Sequence, residues 1–139
     1  MYLTLLNNEQ KELFLNLACS LSSVDGNFSD HEKSIIEEYC KEMQISFDYE
    51  QCNPTLKNVM FQLESISSIV EKRIIIFELV GLGLVDGNFD LAEHEFIYEL
   101  NELFGLSKDY VMKCEDILQE YLKIQNMINT IVIGDEFNV

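Results

Sequence analysis

Four carboxylates recur in a pattern that could hold a metal ion. Asp25 lies in the stretch Val24-Asp25-Gly26-Asn27-Phe28, and Glu32 follows on the next predicted helix. Asp86 lies in Val85-Asp86-Gly87-Asn88-Phe89, and Glu93 follows in the same way. Asp25 and Asp86, like Glu32 and Glu93, are 61 residues apart. Grouped carboxylate oxygens suit a hard divalent cation, so calcium and magnesium are the natural candidates, with zinc as a third.

Each turn matches only the rear half of a calcium-binding EF-hand loop. With Asp25 at the fifth position, Gly26 falls on the invariant glycine, Phe28 on the apolar eighth position and Glu32 on the twelfth; Asp86, Gly87, Phe89 and Glu93 fit equally well. The first and third positions would be Leu21 and Ser23, or Leu82 and Leu84, where an EF-hand needs oxygen ligands. A tight calcium site is therefore not expected. A loose site would need Asp25 and Glu32, or Asp86 and Glu93, to meet across one turn, or the two turns to approach each other.

The same residues have a second explanation, and spacing alone favours it. Asp-Gly after an apolar helical run is a helix stop. Ser29 and Asp90 then cap the next helices, and Glu32 and Glu93 fall where a capping-box glutamate reaches back to the cap. Phe28 and Phe89 sit one residue before each cap, as a hydrophobic staple does.

Little else points to catalysis. His31 and His94 are the only histidines and do not occupy equivalent positions. Glu93-His94-Glu95 lacks the second histidine of the helical zinc-protease motif. No nucleophile or phosphate-binding loop pattern occurs. Glu78 is unusual because it interrupts an apolar run; it is expected at a wet helix edge or hydrogen-bonded. The chain is read as non-enzymatic.

The elements that position these residues are helices. One proline and six glycines in 139 residues leave long uninterrupted segments, and 47% of residues are hydrophobic, which suits one folded domain over 1–139. A first helix starts at Asn7 or Asn8 and carries Leu13, Phe14, Leu17, Ala18 and Leu21 on one face. A second runs over about 30–43. Ser46 opens a short helix holding Phe47 and Tyr49, and Asn53-Pro54 starts the next, with Leu56, Val59, Met60 and Leu63 on its face. Ser68-x-x-Glu71 is a capping box opening a helix that is apolar on nearly all sides to Val85, the predicted central element.

A further helix over about 91–104 turns Ile97, Leu100, Leu103 and Phe104 inward and Glu93, Glu95, Glu99 and Glu102 outward, and Gly105 ends it. Ser107 caps the last helix, whose stripe runs through Tyr110, Val111, Cys114, Ile117, Leu118, Tyr121 and Leu122. Residues 124–139 extend it; Ile131-Val132-Ile133 is either helical or extended, and its apolar content needs cover from the bundle or from a second chain.

Further matches at the same offset (Ser46, Asp48 and Tyr49 against Ser107, Asp109 and Tyr110) predict a copied helix–turn–helix unit over about 13–50 and 74–111. The expected fold is all-α, a compact bundle of about six to seven helices with internal two-fold repetition.

Charge narrows the partners. A net charge of −16 repels nucleic-acid phosphates and anionic membranes, and favours cations or basic protein surfaces. No segment is a membrane span, and Met1-Tyr2-Leu3 lacks the basic start of a signal peptide. Cys19, Cys40, Cys52 and Cys114 show no CxxC spacing and read as reduced thiols of a cytoplasmic protein.

The two copies, Asp25, Gly26, Phe28 and Glu32, then Asp86, Gly87, Phe89 and Glu93, resemble the TerB-like superfamily, which includes the tellurite-resistance protein TerB and the N-terminal domain of the co-chaperone DjlA. Phe104-Gly105-Leu106-Ser107 is similar to that family's helix end. The resemblance covers about 8–122. It implies a non-enzymatic bacterial protein of a stress or tellurite-resistance response, with Asp25, Glu32, Asp86 and Glu93 as a divalent-cation site. It does not carry over a J-domain or membrane anchor, and it leaves the segment after Leu122 unexplained. The alternative is a protein–protein interaction scaffold, or a homodimer through the C-terminal tail, with no metal.

Overall fold

The structure, a computed structural model, describes residues 2–22, 30–46, 56–85 and 91–134. Of residues 22, 30–32 and 85 the helical backbone alone is described. Every regular element among them is helical. A 3-10 turn over Leu3–Leu5 precedes α1 (Asn8–Ser22), α2 (Asp30–Met43), α3 (Leu56–Ile66), α4 (Ile69–Val85), α5 (Leu91–Leu103) and α6 (Tyr110–Ile133). Ser46 is described and exposed, but the short helix expected after it (47–52), the Asn53-Pro54 start, Cys52 and both Asp-Gly turns lie outside the described residues.

Helix α4 is central. It packs on α1, α5, α6 and the N-terminal turn, which accounts for its lack of a polar face. Helix α1 packs on α2, α3 and α4. Helices α1 and α4 thus each touch the two that follow and meet each other along a central seam, and α3 also meets α5. Phe14, Leu17, Leu63, Ile75, Leu79 and Ile97 are fully enclosed at this seam and around it. Phe14 meets Tyr39 edge-on, with ring centroids 5.5 Å apart.

Equivalent positions start and stop the helices in the same way. Asn7 is the cap of α1: its Oδ1 accepts from Gln10 N–H at 2.8 Å, and its own N–H donates to Gln10 Oε1 at 2.9 Å. Sixty-one residues on, Ser68 Oγ accepts from Glu71 N–H at 3.2 Å and Ser68 N–H donates to Glu71 Oε1 at 2.8 Å. Both are capping boxes.

At the other ends, Gln44 N–H donates to Lys41 C=O and Ile45 N–H to Cys40 C=O; Gly105 N–H donates to Glu102 C=O and Leu106 N–H to Asn101 C=O. These are two Schellman caps at the same offset, with Gln44 (φ 58°) and Gly105 (φ 71°) in the left-handed conformation. The lysines one residue past the capping boxes also reach equivalent helix ends. Lys11 donates to the Met43 carbonyl at 3.2 Å, and Lys72 lies 5.9 Å from the centre of the Phe104 ring.

Two expectations change. Ser107 does not cap α6. Asp109 occupies the cap position with no side-chain cap bond, and the Ser107 hydroxyl is bound instead to the Asp109 carboxylate. The apolar stripe of α6 splits in two. Val111, Cys114 and Leu118 pack in or against the core, whereas Ile117 and Tyr121 are exposed. The 124–133 segment is helical, and Ile124, Met127, Ile128 and Ile131 are exposed. No described helix is long and apolar enough to cross a membrane.

Candidate functional site

The carboxylates singled out by spacing are only partly placed. Asp25 and Asp86 lie outside the described residues, and the side chain of Glu32, in the first turn of α2, does too. Glu93 is in the first turn of α5 and is half-buried, not on the wet outer face with Glu95, Glu99 and Glu102. Among the described residues, no group of three or more His, Cys, Asp or Glu side chains is placed to hold a metal ion.

The histidine beside Glu93 has a local partner. His94 Nδ1 is 3.8 Å from Glu115 Oε1 across the α5–α6 contact, and its ring lies 6.3 Å from that of Tyr98. Burial, and then the nearby Glu115 charge, push the Tyr98 hydroxyl pKa upward. The cluster joins two helices.

Glu78 resolves to the hydrogen-bonded case. It is 6% exposed, and its Oε1 accepts from the Tyr2 backbone N–H at 2.9 Å. The Tyr39 hydroxyl donates to the Glu78 carbonyl at 3.4 Å. Burial raises the Tyr39 pKa far above the usual phenol value, helped by the charges of Glu78, Glu42 and Glu38, so this hydroxyl stays a donor. Glu78 therefore ties the N-terminal turn to the central helix.

Tyr2 also lines an apolar groove between the N-terminal turn, α4 and α6. The groove holds about 520 Å³ and is lined by Tyr2, Val70, Phe77, Tyr110, Ile117 and Tyr121, among others. The Tyr110 hydroxyl donates to the Arg73 carbonyl at 2.8 Å, closing one side. Tyr2 meets Phe77 edge-on at 5.9 Å. Beyond Tyr121 the same side of α6 continues as Ile124, Ile128 and Ile131, all exposed.

Sequence reasoning identified the apolar tail but not the groove at its base. The signal was present in the spacing of Ile117 and Tyr121, which a single 3.6-residue stripe assigned to the core. None of the three described cysteines is in a disulfide; Cys19 and Cys114 are buried and Cys40 is half-buried. Burial is the leading cause that raises the pKa of Cys40 and Cys114, which favours the thiol over the thiolate. Comparison of the chain with family models, with curated proteins and with solved structures finds no match.

Proposed function

We propose that the chain is a non-enzymatic acidic binding module of the TerB-like kind, which works by holding another protein surface. One observation carries this reading: the apolar groove between the N-terminal turn, α4 and α6 opens directly onto the exposed face of α6. Contiguous exposed apolar surface on this scale marks an interaction site. The all-α fold, the paired motifs and the equivalent caps at one offset support the TerB-like reading, and a bacterial stress or tellurite-resistance role comes with that resemblance.

The test is affinity capture with the full chain and with a Val70→Ser, Ile117→Ser variant that retains its helical circular dichroism. Proteins held by the native chain and lost from the variant would support the reading. Identical captured sets would reject it.

Weak cation binding at Asp25, Glu32, Asp86 and Glu93 belongs to the same proposal and rests on the sequence motifs. Calorimetric titration with calcium, magnesium and zinc tests it. Heat that disappears in Asp25→Ala, Asp86→Ala supports the site; no heat above buffer removes it.

A further inference from the structure

Ile117, Tyr121, Ile124, Ile128 and Ile131 follow one another along α6 at steps of four, three, four and three residues. All five are exposed, Ile131 to 82%. This alternation is the 3.5-residue repeat of a coiled-coil seam. It is distinct from the Val111, Cys114 and Leu118 stripe that seats the helix on the bundle. Met127 and Val132 flank the seam and are exposed too.

The geometry points to a second copy of this chain as the occupant of that seam, paired antiparallel through α6. This rests on the binding-module reading and names its partner. Charge makes the first argument. The chain carries −16, so two copies repel except where no charge is presented. From Ile124 to Gly134 there is no charged residue. A basic partner would find nothing to pair with on this segment, and an anionic membrane would find no lysine or arginine.

Area makes the second argument. Seven large apolar side chains, the five of the seam with Met127 and Val132, are each about half exposed or more. Such a face is of the order of the roughly 800 Å² that each partner gives to a standard interface.

Orientation follows from the same facts. An antiparallel pair sets the two acidic bundles at opposite ends, further apart than a parallel pair would. It places Ile131 of each copy against Tyr121 of the other, at the mouth of the groove, and Ile124 against Ile128. The contact is isologous, so it closes at two copies.

Sedimentation equilibrium on the full chain should give twice 16.2 kDa, and Ile124→Glu, Ile128→Glu should give 16.2 kDa with unchanged helical circular dichroism. Ile128→Gln, a milder change, should shift the equilibrium toward monomer by a smaller amount. Mixing Ile124→Cys with Ile128→Cys copies should yield an oxidised cross-link that neither variant forms alone. A native chain that stays monomeric overturns the proposal, as does cross-linking of Ile124→Cys with itself, which requires a parallel pair. Co-sedimentation of a monomeric chain with phosphatidylcholine vesicles would assign the face to a membrane and overturn it as well. A monomer whose captured proteins still depend on Val70 and Ile117 overturns the dimer alone and leaves the binding-module reading standing.

Discussion

The backbone N–H of Tyr2 donates to the buried carboxylate of Glu78, 76 positions further along the chain, at 2.9 Å. The acceptor is buried, whereas Tyr2 itself is exposed, so Glu78→Leu loses a hydrogen bond without stranding a buried donor. It should destabilise the fold by about 0.5–1.5 kcal/mol, the net worth of one such bond. Glu78→Gln retains an acceptor oxygen and should cost less. Urea unfolding of both variants, with proteolysis rates at the N-terminus, checks the order.

The Ser68–Glu71 box gives a pH signature. The Ser68 N–H, and then the Gln10 side chain, hold the Glu71 carboxyl below the usual glutamate range. A carboxyl with a lowered folded pKa contributes stability that is present above the unfolded value and lost as pH falls through the folded one. The stability gap between the native chain and Glu71→Gln should be open at neutral pH and narrow as pH drops through and below the ordinary glutamate pKa. Ser68→Ala should cost about 1 kcal/mol at neutral pH. Thermal melts across a pH series measure both.

Gln44 and Gly105 end α2 and α5 in the same left-handed conformation, but only one of them is glycine. A side chain is strained there by about 1 kcal/mol. Gln44→Gly should stabilise the protein by about that amount, and Gly105→Ala should destabilise it similarly, since no atom lies within 4 Å of the added Cβ and backbone strain is the sole cost. Denaturant midpoints with unchanged slopes would confirm the pair.

Much of this was legible from local chemistry. Helix ends depend on a few adjacent residues, so Ser68, Glu71 and Gly105 announce their roles in the sequence. Asn7–Gln10 was harder to match with Ser68–Glu71 because the pairs share hydrogen-bonding capacity and no letters. Ser107 misled because a serine three residues before an apolar run looks like a cap whether or not Asp109 takes its hydroxyl. The α6 stripe misled for a non-local reason: which apolar residues are covered depends on how far α4 and the N-terminal turn run beside it. The cation site rests on Asp25, Glu32, Asp86 and Glu93, and both Asp-Gly turns lie outside the described residues.

The outer half of α6 should be dispensable for folding. From Ile117 onward no described side chain is fully buried, although Leu118 still packs on the core. A chain ending at Lys123 should keep the melting temperature of a monomeric full-length variant to within about a degree or two, because a surface change away from the core moves stability by no more than about 0.5 kcal/mol. By contrast, Phe14→Ala should cost about 3–5 kcal/mol. Differential scanning calorimetry distinguishes the two.

The groove also has an optical use. The protein has six tyrosines and no tryptophan, and Tyr2, Tyr110 and Tyr121 all stand in that one depression. Its native ultraviolet emission is thus weighted toward the very surface where a visitor would settle, so arrival and departure can be followed by phenol fluorescence without attaching a dye.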